Sequence, residues 1–459
     1  MPPEARTVAG SWAQRPSGVP GSVPPPSVPL SFLLAAAVGL IGCGVAWVFA
    51  RSAAATDPTS NSVVAAVHLG VLATLATGIL GATHQFAPVI TGRPLRSVRL
   101  ARATLVSFLA ASWMLPLGVA TEQVAVTAIS GALTGVALVL LAVNLSGPLR
   151  ARGKGVPVLA LRVALAGSLL TGFLGVTFIG DRQANWFVLA GHVDLAMGVL
   201  GMFGWLGMTY IGVAEKLWPM FMLAHVPGPR RAPRVAVVGV GGGVLLITPG
   251  LAWNIAPLAG IGAVLMTTGL GAHLVSLTAH VRHRRRKADL HLVFVITSAG
   301  WLVLGAALSL AAAIEMTGDA RLGTSLAAAA LAAFGGWLLE ALVGHSYKVV
   351  PFVVWSALRS RSIASGPTGK PLMFSDLYDH PSAGAAYGSV TAAVACLCAG
   401  LAAEAPALVA IAGALLTATG LVIVVSLMVI PLRMLHHAAS MPRVRADAAR
   451  PEPGPVTAP

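Results

Sequence analysis

Charge is what this sequence has least of. Lys, Arg, Asp and Glu make up 10% of its 459 residues, where soluble globular chains carry about a quarter. That shortage excludes an ordinary water-facing surface over most of the chain. Acids are scarcer than bases, 15 against 30. Cysteine is nearly absent, with only Cys43, Cys396 and Cys398, all inside apolar runs. Three such residues exclude a disulfide framework and a four-cysteine zinc or iron–sulfur site. They read as small buried hydrophobes. The glycines of GVGGGVLLITPG (239–250) have no following Lys-Ser or Lys-Thr and no strand pattern, so no phosphate loop is present. No HExxH pair and no Ser–His–Asp arrangement points to hydrolysis.

What the chain has is long apolar runs. Hydrophobic residues are 56% of the total, the mean hydropathy is +0.82, and runs of about 20 apolar residues read as membrane helices. Twelve spans are expected, at 29–50, 62–86, 101–120, 124–146, 157–180, 187–214, 234–250, 252–279, 290–314, 321–345, 384–403 and 407–432. The fold class is therefore all-α, a polytopic membrane bundle occupying 29–434. The seventh span is short and Gly-rich, with a Pro-Gly turn before the eighth. The Pro-rich segments 1–28 and 435–459 read as disordered tails, the first without the early apolar core of a signal peptide.

Cations sit on one side of these spans. Arg93, Arg96 and Arg99 follow span two, Arg150, Arg152 and Lys154 follow span four, and Arg230, Arg231 and Arg234 follow span six. Arg282, Arg284, Arg285, Arg286 and Lys287 follow span eight, and Arg359, Arg361 and Lys370 follow span ten. The other side has Arg51, Arg182 and Arg321 beside the acids Asp57, Glu122, Asp181, Glu315, Asp319 and Glu404. This asymmetry predicts a plasma-membrane protein with both termini cytoplasmic. It also accounts for the net charge of +15, so the partner implied is the lipid bilayer and not nucleic acid, for which no basic face with interleaved aromatics exists.

A short frame recurs at the inner end of three spans. Span two ends in GATHQFAP (Gly81 to Pro88), span six in GVAEKLWP (Gly212 to Pro219) and span ten in GHSYKVVP (Gly344 to Pro351). The glycines are 131 and 132 residues apart. An interval that constant predicts an internal repeat of three pseudo-equivalent four-helix units, near 29–150, 151–285 and 286–434. The glycine permits close helix approach, and the proline is expected to end the helix.

These frames, with the segment GHVDLAMGVLGMFGWLGMTYIGVAEKLWPMF and the run GHSYKVVPFVVW, resemble subunit I of the haem–copper oxidase superfamily and the NnrS family of haem- and copper-containing membrane proteins. The resemblance implies haem b or copper as cofactor, an electron-transfer partner, and a role in respiratory or nitric-oxide-related chemistry. In the family the outer part of helix two carries a haem ligand, which would fall near His68. The departures are specific. Span seven has no histidine, and span ten has only His345, at its inner end. A complete binuclear centre is therefore not implied.

Intramembrane ionisable groups are candidate functional residues. In the outer half these are His68 in span two and His192 in span six, with Asp194 two residues on. Histidine ligates haem and copper, so His68 and His192 are the expected cofactor ligands and His192 with Asp194 the expected metal ligands. Hydrogen-bonded core histidines are the plainer reading. His68 lies 13 residues before its frame glycine and His192 lies 20 before its own, a depth mismatch of about 10 Å. At the inner end, His84, Glu215, Glu340, His345 and Lys348 would converge if the three units surround one axis. Carboxylates and imidazoles in series relay protons or bind ions. That supports the alternative of a proton-coupled transporter or permease for an ion or small solute. An interfacial belt with snorkelling lysines competes with it. His273 reads as structural, and His280, His283 and His291 as residues of loops or helix ends.

Overall fold

The computed structural model describes residues 24–153, 155–184, 192–227, 231–360, 377 and 380–429. Much of both expected tails, together with Lys154, Arg230, Arg361 and Lys370, lies outside these residues.

Apolar composition without strand-like alternation produces helix throughout. Among the described residues twelve helices are long and apolar enough to cross a membrane: α1 Ser27–Thr56, α2 Asn61–Thr91, α3 Val98–Ala120, α4 Val124–Leu149, α5 Gly155–Phe178, α6 Val193–Met222, α7 Ala232–Ala252, α8 Ala256–Arg282, α9 Leu290–Glu315, α10 Ala320–Arg359, α11 His380–Ala402 and α12 Pro406–Leu427. Most consecutive helices pack as neighbours, and α1 packs along α12, so the first and last spans meet. The second helix of each expected unit lies inside it. The apolar window of α6 is 83% buried, that of α2 67% and that of α10 61%, whereas that of α8 is 22% buried. Helices α2, α6 and α10 also touch one another in pairs, so they form the centre of the bundle.

Each frame glycine abuts the first helix of its own four. A Cβ on Gly81 would strike the Phe32 Cβ in α1, one on Gly212 would lie 2.5 Å from the Ala160 Cβ in α5, and one on Gly344 would strike the Phe294 Cβ in α9. The prolines do not end their helices as expected. Pro88 and Pro219 lie inside α2 and α6, which run on to Thr91 and Met222, and Pro351 lies well inside α10. A membrane helix tolerates proline where neighbouring packing holds the segment. The stop comes one turn later, where Gly92 and Leu223 turn left-handed at φ 69° and 50° and cap back to the proline carbonyls.

The α7–α8 turn is also displaced from its expected place. Pro249 and Gly250 are helical, and the chain reverses at Asn254, φ 55°. The same reversal occurs at Glu122 between α3 and α4 and at Glu404 between α11 and α12, at φ 57° and 51°. In each turn the next residue's N–H returns to a glycine carbonyl five residues back: Gln123 to Gly118 at 2.9 Å, Ile255 to Gly250 at 2.7 Å and Ala405 to Gly400 at 2.8 Å. Two inner helices widen into π turns, at Leu69–Ala76 in α2 and Leu200–Gly207 in α6. Both begin 12 residues before the frame glycine.

Candidate functional site

The outer histidines have different surroundings. His68 is half-buried beside the π turn of α2, its Nδ1 2.7 Å from the Val64 carbonyl. His192 and Asp194 are exposed. His192 stands immediately before α6, and its backbone N–H donates to the Leu251 carbonyl at 3.0 Å. Its counterpart, 20 residues before Gly81, is Asn61, whose side-chain amide donates to Glu122 at 2.8 Å. His192 thus ties the start of α6 to the last turn of α7, and Asn61 ties the start of α2 to the α3–α4 turn. His68 falls in register with Val199, seven residues further along. The depth mismatch between the two histidines is therefore a difference in position relative to the frame glycines. A haem shared by His68 and His192 does not fit this arrangement. One imidazole lies at an exposed helix start, and the described residues offer the two no common enclosure.

The inner group divides among several neighbours. His84 is fully buried and stacks on Phe32 of α1, ring centres 5.2 Å apart, with Nδ1 2.8 Å from the Leu80 carbonyl. Glu215 accepts from the Ser276 hydroxyl of α8 at 2.6 Å. Lys348 is paired at 2.5 Å with Asp289, the residue that caps the start of α9. Of the five residues expected to converge, His345 is the one that lines the cavity at the bundle's centre. The reason is rotation about the helix axis: each residue is turned by about 100° from the one before, so side chains at one depth on three helices need not face the same neighbour.

Glu340 is fully buried on α10. Its Oε1 accepts from the Thr391 hydroxyl of α11 at 2.6 Å and from the Trp301 indole N–H of α9 at 3.3 Å. Among the described residues its Oε2 has no hydrogen-bond partner. One turn closer to the cation-rich end, the Thr297 and Tyr387 hydroxyls meet at 2.9 Å across the same two helices. The Lys348–Asp289 pair follows at that end, about 12 Å from Glu340 along α10. Polar groups therefore occur at three depths between the helix ends and the buried carboxyl.

The central cavity, about 70 Å³, lies where α1, α2, α6 and α10 meet. Its polar lining is Gln85, Thr209, Tyr210, His345 and Ser346. His345 is fixed by Nδ1 at 2.7 Å from the Ala341 carbonyl, and its Nε2 has no partner among the described residues. Its ring meets that of His291 of α9 at 4.9 Å between centres and that of Tyr210 of α6 at 5.7 Å. His273 of α8 joins the same assembly against Tyr210 and Trp218, at 5.7 and 4.9 Å. Neither His273 nor His291 stands out in the sequence, where one is a single polar residue in an apolar run and the other lies at a helix end. Their meeting depends on how α8 and α9 pack on α6 and α10. Among the described residues no group of three or more His, Cys, Asp or Glu side chains is placed to hold a metal ion. No protein-family profile and no curated protein matches the chain.

Proposed function

We propose that this chain is a proton-coupled membrane permease for an ion or small solute, built from three four-helix units with both ends on the cytoplasmic side of the plasma membrane, and that Glu340 is its proton-carrying group. The observation that carries this reading is the burial of Glu340, with one carboxylate oxygen held by Thr391 and Trp301 and the other without a partner. An ionised carboxylate in such a place costs several kcal/mol unless it is paired. Protonation removes the charge, so the group is suited to alternating between two states as its surroundings change. The Thr297–Tyr387 contact and the Asp289–Lys348 pair supply polar steps toward the cation-rich end.

The three-unit reading is supported by the matched frame glycines, the three left-handed turns and the two π turns in register. Units with an even number of helices repeat in parallel and not in inverted orientation. In that respect this chain departs from many transporters. The redox reading implied by the resemblance, with haem b or copper on His68 and His192, has weaker support because those two residues occupy different repeat positions and lack a shared enclosure.

The test is proton flux in proteoliposomes of the purified chain under an imposed pH gradient. The wild type is expected to dissipate the gradient faster than empty vesicles, Glu340→Gln to match empty vesicles, and Glu340→Asp to retain part of the flux. Wild-type flux equal to that of empty vesicles, or unchanged flux in Glu340→Gln, sinks the proposal.

A further inference from the structure

We propose that the arginines at the cation-rich ends of α3 and α4 form a binding site for the phosphate head of an anionic phospholipid, whose acyl chains lie along the exposed face of α3. The site is on other helices than Glu340 and does not depend on the permease reading.

Two loops far apart in sequence are clamped together there. Asn144, fully buried near the end of α4, accepts from the Arg96 N–H at its carbonyl, 3.2 Å, and from the Ser97 N–H at its side chain, 2.9 Å. Three residues on, a Cβ on Gly147 would stand 3.4 Å from the Pro94 carbonyl. The α2–α3 loop therefore lies across the last turn of α4, about one turn from Arg150. Arg162 of α5 fixes the chain beyond it, donating to the Leu149 and Ala151 carbonyls at 2.8 and 2.9 Å. Arg93, Arg96, Arg99, Arg102, Arg150 and Arg152 are all exposed around this clamp. Among the described residues none of the six is in an ion pair. Between Asp57 and Asp181 the sole acid is Glu122, which lies at the opposite end of α3. The arginines after α8 differ, because Arg286 shares Asp289 with Lys348. Arg99 and Arg102 are three residues apart on one helix, where like charges repel. The start of α3 adds a further partial positive charge. A bound anion offsets that repulsion.

The exposed face of α3 selects a lipid over a soluble anion. Arg99, Arg102, Val106, Trp113 and Leu117 are all exposed, and their spacings of three, four, seven and four residues put them on one side of the helix. The stripe is cationic at its start and apolar from Val106 onward. From Arg102 to Trp113 it runs about 16 Å, close to one leaflet of a hydrocarbon core about 30 Å thick. A phospholipid has the same order of parts, an anionic head followed by apolar chains. Guanidinium groups bind phosphate through paired N–H donors, and basic clusters of this size beside membrane helices recognise anionic heads.

The experiment is native mass spectrometry of the purified full chain in neutral detergent, titrated with phosphatidylglycerol, phosphatidylcholine or inorganic phosphate. A first phosphatidylglycerol is expected to saturate, to bind more tightly than phosphatidylcholine, and to resist competition by inorganic phosphate. The double variant Arg99→Gln with Arg102→Gln should weaken that first site by roughly thirtyfold, the loss expected for two arginines near a charged surface. Arg284→Gln with Arg285→Gln removes the same charge from the α8–α9 loop and should leave it unchanged. Glu340→Gln should also bind as the wild type does, which separates this site from the proton-flux proposal. Equal binding of the two lipids by the wild type overturns the inference, and that comparison needs no variant to fold. So does an equal loss in the two double variants, which would mean net charge alone, or displacement of the lipid by inorganic phosphate, which would mean a site for a free anion.

Discussion

Glu404 shows how much one side chain can join. It sits at the left-handed position of the α11–α12 turn and accepts from Arg321 at both carboxylate oxygens and from Ser325 at 3.0 Å. Those donors hold its carboxyl below the ordinary carboxylate range, the Arg321 hydrogen bonds first and the Ser325 hydroxyl second. A lowered folded value means the interaction is fully present above the unfolded value, about 4.3 for Glu. It is lost as pH falls through the folded value. The expected outcome is a thermal midpoint in detergent that drops for the wild type on acidification below about pH 4, with a smaller drop in Glu404→Gln. Identical pH profiles for the two proteins would count against the link. Because the pair is open to water, the effect is expected to be small and to weaken with salt.

Among the elements, the inner helices depend on glycine at one depth. Adding a methyl at Gly81, Gly212 or Gly344 places it against the Cβ of Phe32, Ala160 or Phe294. Those neighbours are close to their own backbones and cannot rotate away. Each Gly→Ala change is expected to destabilise the bundle by about 1–3 kcal/mol through overpacking. Gly300→Ala, with open space around it, should be neutral or slightly stabilising, since alanine favours helix. Thermal unfolding of the four variants in one detergent checks this. Equal midpoints for Gly81→Ala and Gly300→Ala would remove the close-approach argument.

For the whole molecule, the arrangement is an outer ring of helices around α2, α6 and α10. The turns at Glu122, Asn254 and Glu404 lie at one end, and the Arg-rich loops after the even-numbered helices lie at the other. The proposed topology, by the positive-inside rule, has the cation-rich end at the cytoplasm. In a cysteine-free background on intact cells, an impermeant maleimide is therefore expected to label Thr121→Cys and not Arg284→Cys, both exposed positions. The reverse pattern would invert the topology and with it the side from which Glu340 is reached.

The twelve helices were legible in the sequence because each is a long apolar run, and backbone hydrogen bonding in hydrocarbon leaves helix as the solution for such a run. The frame glycines were legible for a related reason: a constant interval marks a constant depth. The prolines misled, because a missing N–H sets a local cost while packing by neighbours decides whether the helix stops. The meeting of His345 with His291, the partners of Glu340 and the division of the inner polar group were decided only in three dimensions. Each depends on the rotation of one helix against another. A rotation of one residue, about 100°, turns a side chain from one neighbour to the next, and the order of residues along a single span does not carry that angle.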